Sequence, residues 1–285
     1  MFEFNKTYIG DSDVIMKKMM DEDMEFDLIL TDPPYNLNKD FGNKSDSLEL
    51  DEFLKINKQR INLCKDLLKK EGSLVWFGIH DYIGYLQVMM YESGLYYRHM
   101  NIWRYENGFS RSKKIPATQY EPFLWFSKSN KKWTYNADEL RVPYKSTERL
   151  KSPVKYKDKD GNEKIWKPNP KGALRGDIWE YPTLAGKAFE KERTSHPTQK
   201  PESLITELIK AFCPMNSDGK YEGLILDPFH GSGTLGVCCE KLNMEGHSIK
   251  WIGIELEQKW VEITEKRIEE IKKQGHQQTL NDITS

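Results

Sequence analysis

Cysteine is scarce in this chain, and the little there is excludes two classes of protein. Cys64, Cys213, Cys238 and Cys239 are the only four in 285 residues, and their spacing matches neither a metal site nor a disulfide framework. They read as reduced thiols of a cytoplasmic protein. Long apolar runs are missing as well. None approaches the roughly 20 residues of a membrane-crossing helix, and Met1-Phe2-Glu3-Phe4-Asn5 is no secretory signal. No segment repeats. Net charge is nearly absent at −1, but the total hides an asymmetry. Residues 1–60 hold 8 Lys and Arg against 14 Asp and Glu, whereas 141–200 hold 15 against 8 and 104–132 hold 7 against 2. A basic middle between acidic ends suits a local surface for a polyanion.

What is present suits one α/β domain with a sizeable insert. Hydrophobic residues make up 38% and charged residues 31%, enough for a core beneath a solvated surface. Short β-like runs alternate with amphipathic helix signals. Residues 7–10, 27–31 and 74–77 read as strands, and 14–20, 53–68 and 82–91 as helices. A later pair of strands is expected at 99–105 and 123–126. The polar stretch 36–47 reads as a mobile loop. From Lys131 to Ser195 the pattern is irregular, rich in Lys, Pro, Tyr and Trp. Such a stretch inside an enzyme is usually functional or disordered. Periodicity returns with a helix at 202–212, a strand at 224–226, a helix at 233–242, a strand at 251–254 and a charged helix at 259–272, ahead of a loose tail.

Three motifs carry chemistry. Asp32-Pro33-Pro34-Tyr35 closes the apolar run Phe26 to Thr31, placing a rigid turn where open α/β sheets bind ligands. Proline donates no N–H, so backbone carbonyls can face a ligand. An acceptor-only carboxylate, a carbonyl and a flat ring suit a planar heterocycle bearing an exocyclic amine. The same tetrapeptide also reads as a plain proline turn. The second motif is Asp227-Pro228-Phe229-His230-Gly231-Ser232-Gly233-Thr234, between a strand and a helix, with Glu255 lying 19 residues beyond Gly236. Gly231, Gly233 and Gly236 formally satisfy a dinucleotide fingerprint, which keeps a nicotinamide oxidoreductase among the alternatives. The bulky Asp-Pro-Phe start argues against a pyrophosphate and better suits a ligand with an ammonium group. The third motif, Ser195 to Pro201, also reads as a proline-framed helix start.

In this order, Asp32-Pro33-Pro34-Tyr35, His196-Pro197-Thr198-Gln199-Lys200-Pro201 and Phe229-His230-Gly231-Ser232-Gly233 resemble the β class of amino-directed DNA methyltransferases. The stretches 141–149 and 166–170 further resemble the MboII-type adenine enzymes. The resemblance covers nearly the whole chain. It implies a Rossmann-like S-adenosylmethionine (AdoMet) fold, a seven-stranded, mostly parallel sheet with helices on both faces, circularly permuted. It divides the chain into a catalytic part (1–130), a target-recognition insert (131–195), an AdoMet-binding part (196–275) and a loose tail (276–285).

The resemblance also assigns roles. Asp32, Pro33, Pro34 and Tyr35 would handle a base flipped out of the duplex, with Tyr35 stacking on it. Asp227, Phe229, Gly231, Ser232, Gly233 and Thr234 would form the AdoMet loop, Glu255 would hold the ribose, and Asp11 would face the adenine of AdoMet. His196, Pro197, Thr198 and Lys200 would pack against the methionine end. Double-stranded DNA would meet Arg111, Lys113, Lys114, Arg141, Lys145, Arg149, Lys167, Asn169 and Arg175. No metal and no covalent enzyme intermediate are required, so none of the cysteines is needed as a nucleophile. Aspartate at the first motif position favours adenine-N6, with cytosine-N4 as the alternative. A homodimer and a cognate restriction endonuclease acting on the same site stay open.

Overall fold

A computed structural model describes residues 1–37, 48–108, 113–146, 148–151 and 154–284. Along the chain the elements are β1 (Lys6–Ile9), α1 (Ser12–Asp21), β2 (Phe26–Thr31), α2 (Leu50–Leu67), β3 (Leu68–Phe77), α3 (Ile83–Glu92), β4 (Tyr96–Arg104) and β5 (Tyr120–Ser127). The one-turn α4 (Glu148–Lys151) follows, then β6 (Val154–Lys157), β7 (Glu163–Trp166) and β8 (Ile178–Glu180). Last come α5 (Glu202–Phe212), β9 (Glu222–Asp227), α6 (Thr234–Met244), β10 (Ser248–Glu255) and α7 (Gln258–Thr284).

Each strand of the central sheet alternates its side chains between two helical layers, as the period of two requires. Val75 and Phe77 of β3, Ile225 of β9 and Trp251 of β10 enter one core, together with Leu204, Leu208 and Phe212 of α5 and Leu235 and Cys239 of α6. Leu74, Trp76, Leu226 and Ile252 enter the other, against Met16 and Met19 of α1, Ile61 and Cys64 of α2 and Met90 of α3. The strands that lie between these layers read as nearly unbroken apolar runs because both faces are covered. Trp76, Phe26, Ile29 and Leu226 are essentially fully buried, each contributing roughly 1.5–3 kcal/mol or more.

The sheet order is β1-β10-β9-β2-β3-β5-β4-β8. Neighbours from β1 through β3 pair in parallel, β5 runs antiparallel to both β3 and β4, and β8 joins β4 in parallel. The expected mostly parallel sheet is therefore present with one strand more. β8 comes from the stretch that reads as irregular; its three residues are too short to show a period. That stretch also folds an exposed hairpin, β6 with β7, in register from Val154↔Trp166 to Lys157↔Glu163. α7 continues to Thr284 through a polar sequence that contains no proline.

The sheet reverses its winding between β9 and β2. From β9 the chain passes through α6 to β10 on one side, and from β2 through α2 to β3 on the other. Only Leu28↔Ile225 and Ile29↔Leu226 pair across the junction. At its start Asp27 Oδ2 accepts the Leu224 N–H at 2.8 Å and meets Lys69 Nζ at 2.7 Å. Beyond it the strands separate, and ligands of open α/β sheets bind in that kind of crevice.

Candidate functional site

Four strand ends converge on one cleft. β1 delivers Gly10 and Asp11, β2 delivers Asp32 to Tyr35, β9 delivers Phe229 and Gly231, and β10 delivers Glu255 and Leu256. Arg60 of α2, Trp260 of α7, and His196 and Thr198 from the segment before α5 complete its lining. A second, open cavity lies next to it, bordered by Ile79, Trp103, Tyr105, Tyr120 and Glu121. Tyr35, Leu37, His196 and Thr198 border both spaces, so they form the partition.

The glycine turn is built by close approach. Gly231 has φ +51°, and a Cβ there would come 2.9 Å from His196 Nε2. Gly233, the residue ahead of α6, has φ +77°, and a Cβ there would run into the Thr264 side chain. Left-handed backbone and crowding both favour glycine. Glu255 closes the turn from β10. Its Oε2 accepts the Gly231 N–H at 2.8 Å and its Oε1 the Glu257 N–H at 2.9 Å, while burial raises its pKa above the ordinary value. Asp227 accepts from Thr31 Oγ1 at 3.0 Å and from the Phe229 N–H at 3.1 Å. It thus braces the two turns behind the cleft. Asp11 caps α1, its Oδ1 accepting the Val14 N–H at 3.0 Å, and lines the cleft mouth.

Flat surfaces line this space. The Arg60 guanidinium lies 4.8 Å from the Phe229 ring centroid and 3.3 Å from Asp13. His196 meets Trp260 edge to face at 4.6 Å. Burial, with Lys200 and Lys259 nearby, lowers the His196 pKa to about 4, so the imidazole is neutral at pH 7.

At the partition stands a charge cluster. The Tyr35 hydroxyl donates to Asp32 Oδ1 and lies 3.3 Å from Glu121 Oε2. Lys200 Nζ sits 2.6 Å from Asp32 Oδ2 and 3.1 Å from Glu121 Oε2. Burial raises the Asp32 pKa and Lys200 opposes the rise, leaving it at about 6. The Tyr35 hydroxyl is pushed well above its ordinary value, first by burial and then by the two carboxylates.

Of the residues expected around the cofactor, Asp11, His196, Thr198, Phe229, Gly231 and Glu255 border the cleft. Asp227, Ser232 and Thr234 stand behind it around a smaller void, Gly233 is buried under Thr264, and Pro197 faces the second cavity. Lys200 lies in the Asp32 cluster, its ammonium paired with two carboxylates, and borders the smaller void and the second cavity. Sequence reading missed Glu121, Arg60 and Trp260. Glu121, an acid beside the apolar run Pro122 to Phe126, was the signal available.

Of the expected DNA contacts, Lys113, Lys114, Lys145 and Lys167 are exposed. Arg111, the side chain of Arg149 and residues 38–47 of the expected mobile loop lie outside the described residues. The guanidinium groups of Arg141 and Arg175 have partners within the fold. Arg141 donates to Asp138 Oδ1 and the Gly172 carbonyl, each at 2.7 Å. Arg175 binds Glu207 at 3.2 Å and the Tyr181 hydroxyl at 3.1 Å, stacked 4.7 Å from the Trp179 ring centroid. Asn169 caps a turn, its Oδ1 accepting the Lys171 N–H at 2.9 Å.

Among the described residues no helix is long and apolar enough to cross a membrane, and no cluster of three or more His, Cys, Asp or Glu could hold a metal. All four cysteines are buried, and burial pushes the Cys213 and Cys238 thiols up to about 12.

Comparison with known proteins agrees with this geometry. The type II methyltransferase M1.MboII of Moraxella bovis is 35% identical over 224 residues, covering 78% of this chain and 82% of that protein. M.HpaI of Haemophilus parainfluenzae is 32% identical over 249 residues, covering 87% and 69%. The crystal structure of an M1.HpyAVI–SAM complex superposes with a TM-score of 0.62 at 25% identity, over 92% of this chain and 98% of that one. A model of the N6/N4 DNA methylase family matches residues 26–266. The match begins at β2, ahead of the Asp32 turn, and ends within α7, past Trp260. It thus spans nearly every element that shapes the cleft and removes the nicotinamide reading: the chain belongs to the DNA methylase family.

Proposed function

We propose that this protein transfers a methyl group from AdoMet to the exocyclic N6 of adenine in duplex DNA, as the modification enzyme of a restriction-modification system. One observation carries the site assignment: Tyr35 of the Asp-Pro-Pro-Tyr turn and Gly231 of the glycine turn border the same cleft. Donor and acceptor can therefore meet without either turn moving across the sheet edge.

The groups lining the cleft fit AdoMet. Glu255, at the end of β10, offers a carboxylate to a ribose diol, and Phe229 offers a ring face to an adenine, with Asp11 at the mouth. When bound, AdoMet supplies an electrophilic methyl on a positively charged sulfur. The protein's own groups act on the acceptor. A base inside a duplex is out of reach, so it is flipped, at a cost of a few kcal/mol. The second cavity, with Trp103, Tyr105 and Tyr120 around it, provides aromatic surface for that base, and stacking is worth roughly 1–3 kcal/mol. The Asp32 carboxylate and the Pro33 carbonyl accept hydrogen bonds from the exocyclic amine. That withdraws the nitrogen lone pair from ring conjugation and aims it at the cleft. Alignment and preorganised charge account for the rate.

Residues 1–130 and 196–275 form the catalytic and AdoMet-binding parts in this reading, and 131–195 read the target. The exposed Lys113, Lys114, Lys145 and Lys167 contact phosphate. A cytoplasmic location, a homodimer and a cognate endonuclease accompany such a role. The test is incubation of the purified protein with labelled AdoMet and duplex DNA. Label is expected on adenine N6, and Asp32→Ala is expected to bind AdoMet yet transfer nothing. Label on cytosine, on RNA alone or on protein alone would refute the assignment.

A further inference from the structure

Lys200 is 6% exposed, and acceptors enclose its ammonium. Asp32 Oδ2 lies 2.6 Å away, Glu121 Oε2 3.1 Å and the Tyr35 hydroxyl 3.3 Å. The ring centroids of Phe77, Tyr35 and Trp103 stand 5.2, 5.3 and 5.8 Å from it. A lysine ammonium has three N–H bonds, and these three oxygens account for them. No donor is left over for a cofactor, and Lys200 does not border the AdoMet cleft.

We propose that Lys200 and Glu121 are positioning residues for methyl transfer: the buried ammonium keeps the Asp32 carboxylate ionised and aimed at the acceptor amine, and Glu121 holds that ammonium in place. The inference rests on the role given above to Asp32. The reason for two carboxylates around one lysine is geometric. Asp32 Oδ2 alone would leave a buried ammonium with unmade hydrogen bonds, which is costly. Glu121 from β5 and Tyr35 from the Asp32 turn complete the set. Burial works to lower the Lys200 pKa, but Asp32 and Glu121 raise it above its ordinary value, so it remains a cation. The groups facing Asp32 are Tyr35 from its own turn, Lys200 from the segment ahead of α5 and Glu121 from β5, with Tyr105 next to the last two.

The charges act on Asp32 in opposite senses, and the experiment uses this. The pH dependence of kcat/KM on duplex DNA is compared for the unaltered protein, Lys200→Met, Glu121→Gln and the double variant, with AdoMet affinity measured for each. Loss of the cation is expected to move the acid limb of Lys200→Met upward by about 1 pH unit or more. Glu121→Gln is expected to move its limb downward. Misalignment of the carboxylate lowers the plateau of each by up to roughly 10²-fold. AdoMet affinity stays within about twofold, because neither side chain borders that cleft. If Lys200→Met does not fold, Glu121→Gln and the charge-balanced double variant carry the test. Limbs that stay in place or move in the same direction would overturn the proposal, as would loss of AdoMet affinity in Lys200→Met. Methylation by Asp32→Ala would instead bring down the underlying assignment of Asp32.

Discussion

The Thr31 hydroxyl donates to Asp227 Oδ1 at 3.0 Å, joining two strand ends that lie 196 residues apart in the chain. Thr31 precedes Asp32 and Asp227 precedes Pro228, so this bond sets one turn against the other at the point where the sheet reverses. Both residues are buried, Thr31 at 2% and Asp227 at 8% exposure. Removing the hydroxyl leaves a buried carboxylate short of a donor, a loss of about 1–3 kcal/mol. Thr31→Val is therefore expected to lower the melting temperature by a few degrees and to weaken methyl transfer more than AdoMet binding. Calorimetry with single-turnover kinetics checks this; unchanged turnover would show that the bond does not align the turns.

Acidity of the reaction medium should matter through Asp32. Burial raises its pKa to about 6 despite Lys200. The form that accepts from the amine is the carboxylate, so activity is full above that value and is lost as pH falls through it, about tenfold per unit. The raised value also means that the folded state holds the proton more tightly than the unfolded chain. Ionised Asp32 accordingly opposes folding above pH 6, and the opposition fades as pH drops. A kcat/KM profile with its acid limb near pH 6 is expected. A limb at the ordinary aspartate value of 3.8 would show the carboxylate to be solvated.

Gly233 tests the glycine turn. Its φ of +77° disfavours a side chain, and a Cβ would meet Thr264, whose Oγ1 would be 2.5 Å away. Gly233→Ala is expected to lose about 1–3 kcal/mol from backbone strain, with further loss from the collision. Adding Thr264→Ala should recover most of the collision part, though its Cβ stays 2.8 Å from the new one, and leave the strain. Denaturant midpoints measure both; equal midpoints for the single and double variants would mean that Thr264 moves aside freely.

Salt dependence tests the basic loop ahead of β5. Each phosphate contact contributes about 0.9 to the slope of log affinity against log salt. Replacing Lys113 and Lys114 by Ala should lower that slope by up to about 2 and leave AdoMet binding intact. A slope that does not change would remove this loop from the DNA-facing surface.

How much was legible in the sequence depended on the range of the signal. Local patterns sufficed for α5, where Leu204, Ile205, Leu208, Ile209 and Phe212 recur at helical spacing and all are buried. They sufficed as well for the two turns, since proline fixes φ and glycine permits the positive φ that other residues avoid, whatever surrounds them. β8 was hidden because three residues show no period, and its pairing with β4 is a tertiary contact. Arg175 read as a free basic group because its ion-pair partner, Glu207, lies 32 residues away.

The chain order of residues determined by itself that Asp32-Pro33-Pro34-Tyr35 and the Gly231–Gly233 turn follow strands, since the dihedral preferences of proline and glycine are local. Only the folded sheet decided that these two turns stand side by side, and that the Lys200 ammonium lies against Asp32. Asp32, Glu121 and Lys200 come from three separate elements, and Coulomb forces act on distance in space, to which separation along the chain is no guide.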